Sequence, residues 1–312
     1  MSSFGPASTT DDVLDGLDLT GVNVVITGTS AGLGVETARS LAAHGANVIG
    51  VVRDIDKART NLDEVGATNV ELFQADLASL DSVRAFTDKF IADGHDRIDV
   101  LIANAGIMAC PQATTAEGFE MQFGTNHLGH FVLVNRLLPL LLTGSPARIV
   151  TLSSAGHRFS DVSLDDPGFE TTPYDEWVSY GRAKTANILF AVELDRRLRD
   201  RGVRATAIHP GGIMTELSRH LTDESINKLT VARGERKLEW KTVPAGAATS
   251  VWTGFVADAD EIGGRYCEDC NVSPVIEDSN VSPGVMAYAL NPETAAALWT
   301  LSEEMVGETF NL

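Results

Sequence analysis

The 312-residue chain predicts a doubly wound α/β domain, with a parallel sheet of about seven strands, helices on both faces and a helical lid at about 216–243. Three observations lead there. Short β-branched runs alternate with Ala/Leu-rich helical stretches. The strand runs are almost wholly apolar, as when both faces of a sheet are covered. A glycine cluster sits where the first strand passes into a helix. Alternation at this spacing implies right-handed βαβ units. With no repeat, linker or composition break, one domain is expected over 19–312, preceded by a polar flexible leader at 1–18.

The elements follow in order. Strands are read at 23–27, 46–52, 70–74, 98–103, 148–152 and 204–208, with a short last one near 265–266. Helices are read at 34–44, 81–91, 116–142, 179–199 and 245–256. Two segments break the rhythm: an Asp/Pro/Gly-rich loop between Ser154 and Tyr180, and a charged stretch between Thr215 and Val243. Long insertions after strand C-termini in such sheets usually lie over the ligand crevice.

Composition narrows the function. The chain is 44% hydrophobic and 21% charged, which supports a real core. Acidic residues number 43 against 24 basic, a formal charge of −19 that disfavours nucleic acid and anionic lipid as partners. The apolar runs at 131–134 and 137–142 fall far short of the ~20 residues a bilayer span needs. No basic stretch followed by an apolar one opens the chain, so no signal peptide is read and a cytoplasmic location is expected. Three cysteines (Cys110, Cys267, Cys270) make no disulfide framework.

The first strand runs into Thr27-Gly28-Thr29-Ser30-Ala31-Gly32-Leu33-Gly34. Glycines at this spacing let a pyrophosphate approach a helix N-terminus, where free N–H groups and the dipole favour anions. An ordinary tight βα turn would read similarly, and a P-loop is excluded because no lysine follows. Further on, Tyr180 and Lys184 share a helix face four residues apart. An ammonium beside a phenol stabilises phenolate and would draw the tyrosine down from ~10. A solvated surface pair would look the same.

Together these motifs resemble the short-chain dehydrogenase/reductase family, a Rossmann-type fold. Asn104-Ala105-Gly106 after the fourth strand looks like the family's Asn-Ala-Gly motif, with Ala103 where Asn is usual. Asn126 matches its helix asparagine, Ser154 its catalytic serine, and Pro210 to Thr215 its Pro-Gly-x-x-x-Thr turn. The resemblance covers about residues 19–270. The wording Asn126-His127-Leu128-Gly129-His130-Phe131, Gly263-Gly264-Arg265-Tyr266 and the long Ser154–Tyr180 spacing resemble the retinol dehydrogenase-like branch. Some relatives there carry a membrane-anchoring N-terminal segment; none is read here.

The resemblance implies roles. Tyr180 is the acid/base, Ser154 donates to the developing oxyanion, Lys184 tunes Tyr180 and binds ribose hydroxyls, and Asn126 holds a proton-relaying water. Gly28, Thr29, Ser30, Gly32, Leu33, Gly34, Asp76, Leu77, Asn104, Ala105, Gly106, Pro210, Gly211, Ile213 and Thr215 would line the dinucleotide, with Tyr180 and Lys184. Asp76 would touch the adenine or else cap the next helix. Thr215 would contact the nicotinamide carboxamide. NAD-users of the family carry Asp where this chain has Val52, and Arg53 matches the arginine of NADP-preferring relatives, so NADP(H) is expected over NAD(H).

No metal site is read among His127, His130, His157 and His209, and Cys267-x-x-Cys270 is a lone pair. The expected function is interconversion of a bulky hydrophobic alcohol and its ketone or aldehyde. Leu217, Leu221, Ile226, Leu229 and Val231 would form an apolar lid, and Trp177 and Met214 a wall. Alternatives are a non-catalytic dinucleotide sensor and a C=C reductase. Family habit of pairing the helices carrying Asn126 and Tyr180 admits a homodimer or homotetramer.

Overall fold

The computed structural model describes residues 3–214, 217 and 240–311. Its main sheet holds eight strands: β1 (Asn23–Thr27), β2 (Asn47–Val52), β3 (Glu71–Gln74), β4 (Val100–Ala103), β5 (Ala147–Leu152), β6 (Val203–His209), β7 (Tyr266–Glu268) and β8 (Asn271–Val272). Their order is β3-β2-β1-β4-β5-β6-β7-β8. The first seven pair in parallel, and β8 folds back antiparallel on β7. The expectation of about seven strands missed this edge and a separate parallel pair, Val275–Ile276 with Val285–Met286, all two-residue strands too short for a periodicity to register.

Successive side chains leave a strand on opposite faces, and the core divides accordingly. Val25, Leu101, Ile149 and Ala205 face one layer with Phe86, Phe131, Leu137 and Leu189. Val24, Ile26, Val100, Ile102, Val150 and Ile208 face the other with Leu41, Val251 and Trp252. Both faces of the central strands are dry, which explains their unbroken apolar runs.

Several expectations need correction. The leader is not loose throughout: Thr10–Leu14 is a helix with a Thr9/Asp12 capping box, and Val13 and Leu14 are 3% and 0% exposed against the second core layer. A single turn with two apolar residues carries too little pattern to be seen in sequence. The long helical stretch begins at Met121 rather than 116, because Thr114 and Glu120 form an antiparallel bridge just before it. It is also interrupted by a π-helical turn, Gly124–Leu128. Three helices beyond the leader went unread, Ile55–Glu64, the four-residue Ala259–Ile262 and Pro292–Val306; the first is half charged, the second is too short to show a period, and the last begins at a proline.

The C-terminal helix Pro292–Val306 lies along Glu176–Leu198. Trp299 meets Phe131 and Phe190 with ring centroids 5.0 and 5.9 Å away, and Arg197 stacks 4.2 Å from its ring. Glu308 pairs with Arg84 and Arg136. The chain's own C-terminal helix thus covers one side of helix Glu176–Leu198. Most of the expected lid, with Leu221, Ile226, Leu229 and Val231, lies outside the described residues. Its downstream end is anchored where Trp240 bridges Gly212 and Lys241 N donates to Gly212 O. Among the described residues no helix is long and apolar enough to cross a membrane.

Candidate functional site

The C-terminal ends of the parallel strands open into one cleft of about 1560 Å³. At its floor, β1 turns sharply at Gly28, whose φ of +80° suits glycine alone; a Cβ there would also stand 2.9 Å from Ala105 Cα. Gly34 is needed for approach rather than conformation, since its Cβ would sit 2.1 Å from Gly28 O. Helix Gly32–Ala43 starts from Ala31, which gives no side-chain cap, and its first turn carries no acidic residue. An uncapped helix start bordered by Gly28, Ser30, Gly32, Leu33 and Gly34 fits a diphosphate. Thr29 corrects the expectation. Its side chain is fully buried against Gly50 with Oγ1 unpartnered, so it does not reach the cleft.

Arg53 follows β2 at the cleft edge, exposed and without an ion pair among the described residues, while Asp54 instead caps helix Ile55–Glu64 through Lys57 N. Asp76 and Leu77 line the same end. Asp76 Oδ1 accepts from Ala78 N, but the cap of helix Leu80–Ala92 is Ser79, so the capping alternative for Asp76 is wrong. Asn104, Ala105 and Gly106 complete the floor. Asn104 Nδ2 donates to Thr27 O at 2.8 Å, tying the β4 end to the β1 end. Pro210, Gly211 and Ile213 line the cleft after β6; Thr215 lies outside the described residues.

Ser154, Tyr180 and Lys184 also line this cleft. Ser154 follows β5 and caps the 3₁₀ turn Ala155–Phe159, its Oγ accepting from Gly156 N at 3.0 Å. Tyr180 stands on helix Glu176–Leu198, which Asp175 caps. Burial beside Ala109 and Trp177 pushes its phenol up to about 12, a rise that the Ser154 hydrogen bond opposes. The expected lowering is not what the protein does by itself. Lys184 Nζ is 5.6 Å from the Tyr180 ring centroid and donates to Leu152 O, and its own burial pushes it down to about 8. Desolvation of two buried groups therefore outweighs their mutual help.

Asn126 lies one layer behind. Its amide is bonded twice to the Ile107 backbone, and a Cβ on Gly106 would lie 3.0 Å from Asn126 Oδ1 and 3.5 Å from Lys184 Nζ. The π turn carrying it is the kind of helix irregularity that recurs at functional positions. Sequence reasoning missed its neighbour His130. Asn126 O can only accept, so His130 Nδ1–H donates to it at 2.9 Å, and Nε2 accepts from Thr27 Oγ1 at 2.9 Å. Thr27 Oγ1 in turn accepts from Ala105 N. Full burial pushes His130 down to about 4, so the ring stays neutral. A buried neutral imidazole thus joins the glycine turn to Asn126.

His157 is likewise structural, with Nδ1 donating to Ser154 O and Nε2 accepting from Met286 N. Cys267 and Cys270 are buried, unbridged thiols pushed up by desolvation. Among the described residues no cluster could hold a metal ion. Ile107, Met108, Phe159, Trp177 and Leu217 give one apolar side to the cleft, whereas Met214, expected there, is 64% exposed. Arg158, Lys241, Glu268 and Asp269 also line it. Glu268 and Asp269 are the spacer of Cys267-x-x-Cys270, Arg158 and Lys241 belong to no motif, and only the fold brings the four together.

The family model for short chain dehydrogenases matches residues 22–226. A Streptomyces lividans oxidoreductase is 41% identical over 289 residues, covering 91% of this chain and 97% of its own. Human retinol dehydrogenase 13 is 37% identical over 291 residues, 92% and 85% of the two chains. A solved structure from Mycobacterium Paratuberculosis superposes with a TM-score of 0.75 at 36% identity, covering 96% and 98%. The Pseudomonas aeruginosa RhlG/NADP complex, at 22% identity and TM-score 0.63 over 80% and 94%, shares the fold.

Proposed function

We propose, for a chain that belongs to the short-chain dehydrogenase/reductase family and is thereby an NAD(P)-dependent oxidoreductase, that it interconverts a bulky hydrophobic alcohol and its ketone or aldehyde with NADP(H), as a cytoplasmic enzyme. The observation that carries this reading is the convergence of Ser154, Tyr180 and Lys184 on the cleft that the glycine turn opens.

The residues present fit a dinucleotide: an uncapped helix start for the diphosphate, and Arg53 without an ion-pair partner among the described residues for a ribose 2′-phosphate. When bound, the nicotinamide supplies or accepts the hydride. Tyr180 Oη gives the carbonyl oxygen its proton in reduction and removes it in oxidation. A phenol pushed up to about 12 is protonated at neutral pH, the form reduction requires. Ser154 Oγ–H donates to the oxygen as its charge develops. Lys184, held against Leu152 O beneath Tyr180, supplies positive charge that grows in value when phenolate forms. The apolar side of the cleft favours bulky hydrophobic substrates, and the name of human retinol dehydrogenase 13 points the same way.

The test is a panel of hydrophobic alcohols and ketones of graded bulk, with NADPH and NADH in parallel. NADPH-dependent turnover that rises with bulk is expected. Nucleotide binding without turnover would favour a sensor, and saturation of an enone's C=C bond would favour the alkene reductase.

A further inference from the structure

Arg158 is unaccounted for by this chemistry. It sits in the 3₁₀ turn Ala155–Phe159 and lines the cleft together with Ser154, Phe159 and Tyr180. Its side chain is only 8% exposed, yet among the described residues it makes one hydrogen bond, Nη2 to Gly284 O at 2.7 Å. Glu268 Oε1 stands 4.0 Å from Nη2, beyond hydrogen-bond reach, because that oxygen already accepts from Ser273 Oγ and Gly284 N. Nε is buried with no acceptor.

A guanidinium carries five N–H donors, and donors left unmade in a buried place are costly. The nearby carboxylate balances the charge without satisfying the donors. A ligand group here therefore gains most by bringing an oxygen and no net charge.

Resting on the oxidoreductase reading above, we propose that Arg158 is a specificity residue that donates to a second, uncharged oxygen of the substrate. That keto, ester or hydroxyl oxygen is separate from the one that meets Tyr180 and Ser154. Preferred substrates are then hydrophobic molecules with two oxygens, one reacting and one held.

The test compares meta- and para-diacetylbenzene with the near-isosteric meta- and para-ethylacetophenones, by kcat/KM with NADPH and by calorimetric binding. Wild-type protein should favour one diacetyl compound by ten- to a hundredfold, the range of one hydrogen bond to a charged donor. Arg158→Met should erase that ratio, and Arg158→Lys should keep part of it. A merely structural arginine would lower both members of a pair together and leave the ratio intact, which would overturn the proposal, as would wild type without preference.

Should Arg158→Met fail to fold, Glu268→Gln decides instead. It keeps an oxygen for Ser273 and Gly284 while removing the balancing charge, so binding of acetylbenzoate relative to diacetylbenzene should improve by about tenfold; an unchanged ratio refutes the assignment. Binding preference without turnover of any carbonyl would sink the oxidoreductase reading and leave this one standing. Turnover without preference would do the reverse.

Discussion

Gly156 offers a direct probe of how tightly the reacting groups are placed. A Cβ added there would lie 2.6 Å from Tyr180 Cε1 and 2.7 Å from Cδ1, with Ser154 Oγ at 3.3 Å. Ordinary contact begins near 3.4 Å, so the ring must retreat by about 0.8 Å. Its φ is not in the left-handed region, so Gly156→Ala acts by bulk alone, with no backbone strain. Tyr180 is 3% exposed and edge-on to Trp177 at 6.4 Å, which leaves it little room. Overpacking of this kind typically costs about 1–3 kcal/mol of stability. Displacement approaching 1 Å at a reacting group typically costs about 100-fold in rate. Steady-state turnover of a hydrophobic ketone with NADPH should therefore fall by ~100-fold, while nucleotide affinity by fluorescence titration changes less than severalfold. Wild-type kcat in a variant that melts normally would refute the placement of Tyr180 as the proton donor.

Other outcomes follow from the same geometry. Tyr180→Phe removes only the ionisable oxygen and should cut turnover by ~100-fold or more with nucleotide binding retained; near-normal turnover would remove Tyr180 from the mechanism. Val52→Asp with Arg53→Ala should shift preference from NADPH toward NADH by roughly ten- to a hundredfold, measured as the ratio of kcat/KM values, and a wild type already preferring NADH would contradict the role given to Arg53. Burial pushes His127 down to about 3 and His130 and His157 down to about 4, so all three are neutral in the fold near pH 5 but protonated in the unfolded chain. Stability from these groups is present above pH ~6.5 and is lost as pH falls toward 4, with about three protons taken up on unfolding. Urea midpoints followed from pH 7 to pH 4.5 would show it, each proton adding about 1.4 kcal/mol per pH unit; His130→Asn should remove one of the three, and an unchanged slope would count against its neutral burial.

Much of the molecule was legible from local chemistry. Buried parallel strands must be apolar on both faces, so β1, β2, β4, β5 and β6 announced themselves by composition. The turn from Gly28 to Gly34 and the Tyr180/Lys184 spacing are short-range constraints written within a few residues. Tertiary structure decided what depends on residues far apart. The Thr10–Leu14 turn is helical because Val13 and Leu14 find a core to enter and Thr10 a partner in Glu36. His130 matters because the fold sets it between Thr27 and Asn126. Arg158 and Glu268 lie 110 positions apart and meet only when β7 is laid beside β6. The sign of the Tyr180 shift was also beyond the sequence: spacing places an ammonium near a phenol, but only packing removes the water, and in this protein desolvation is the larger effect.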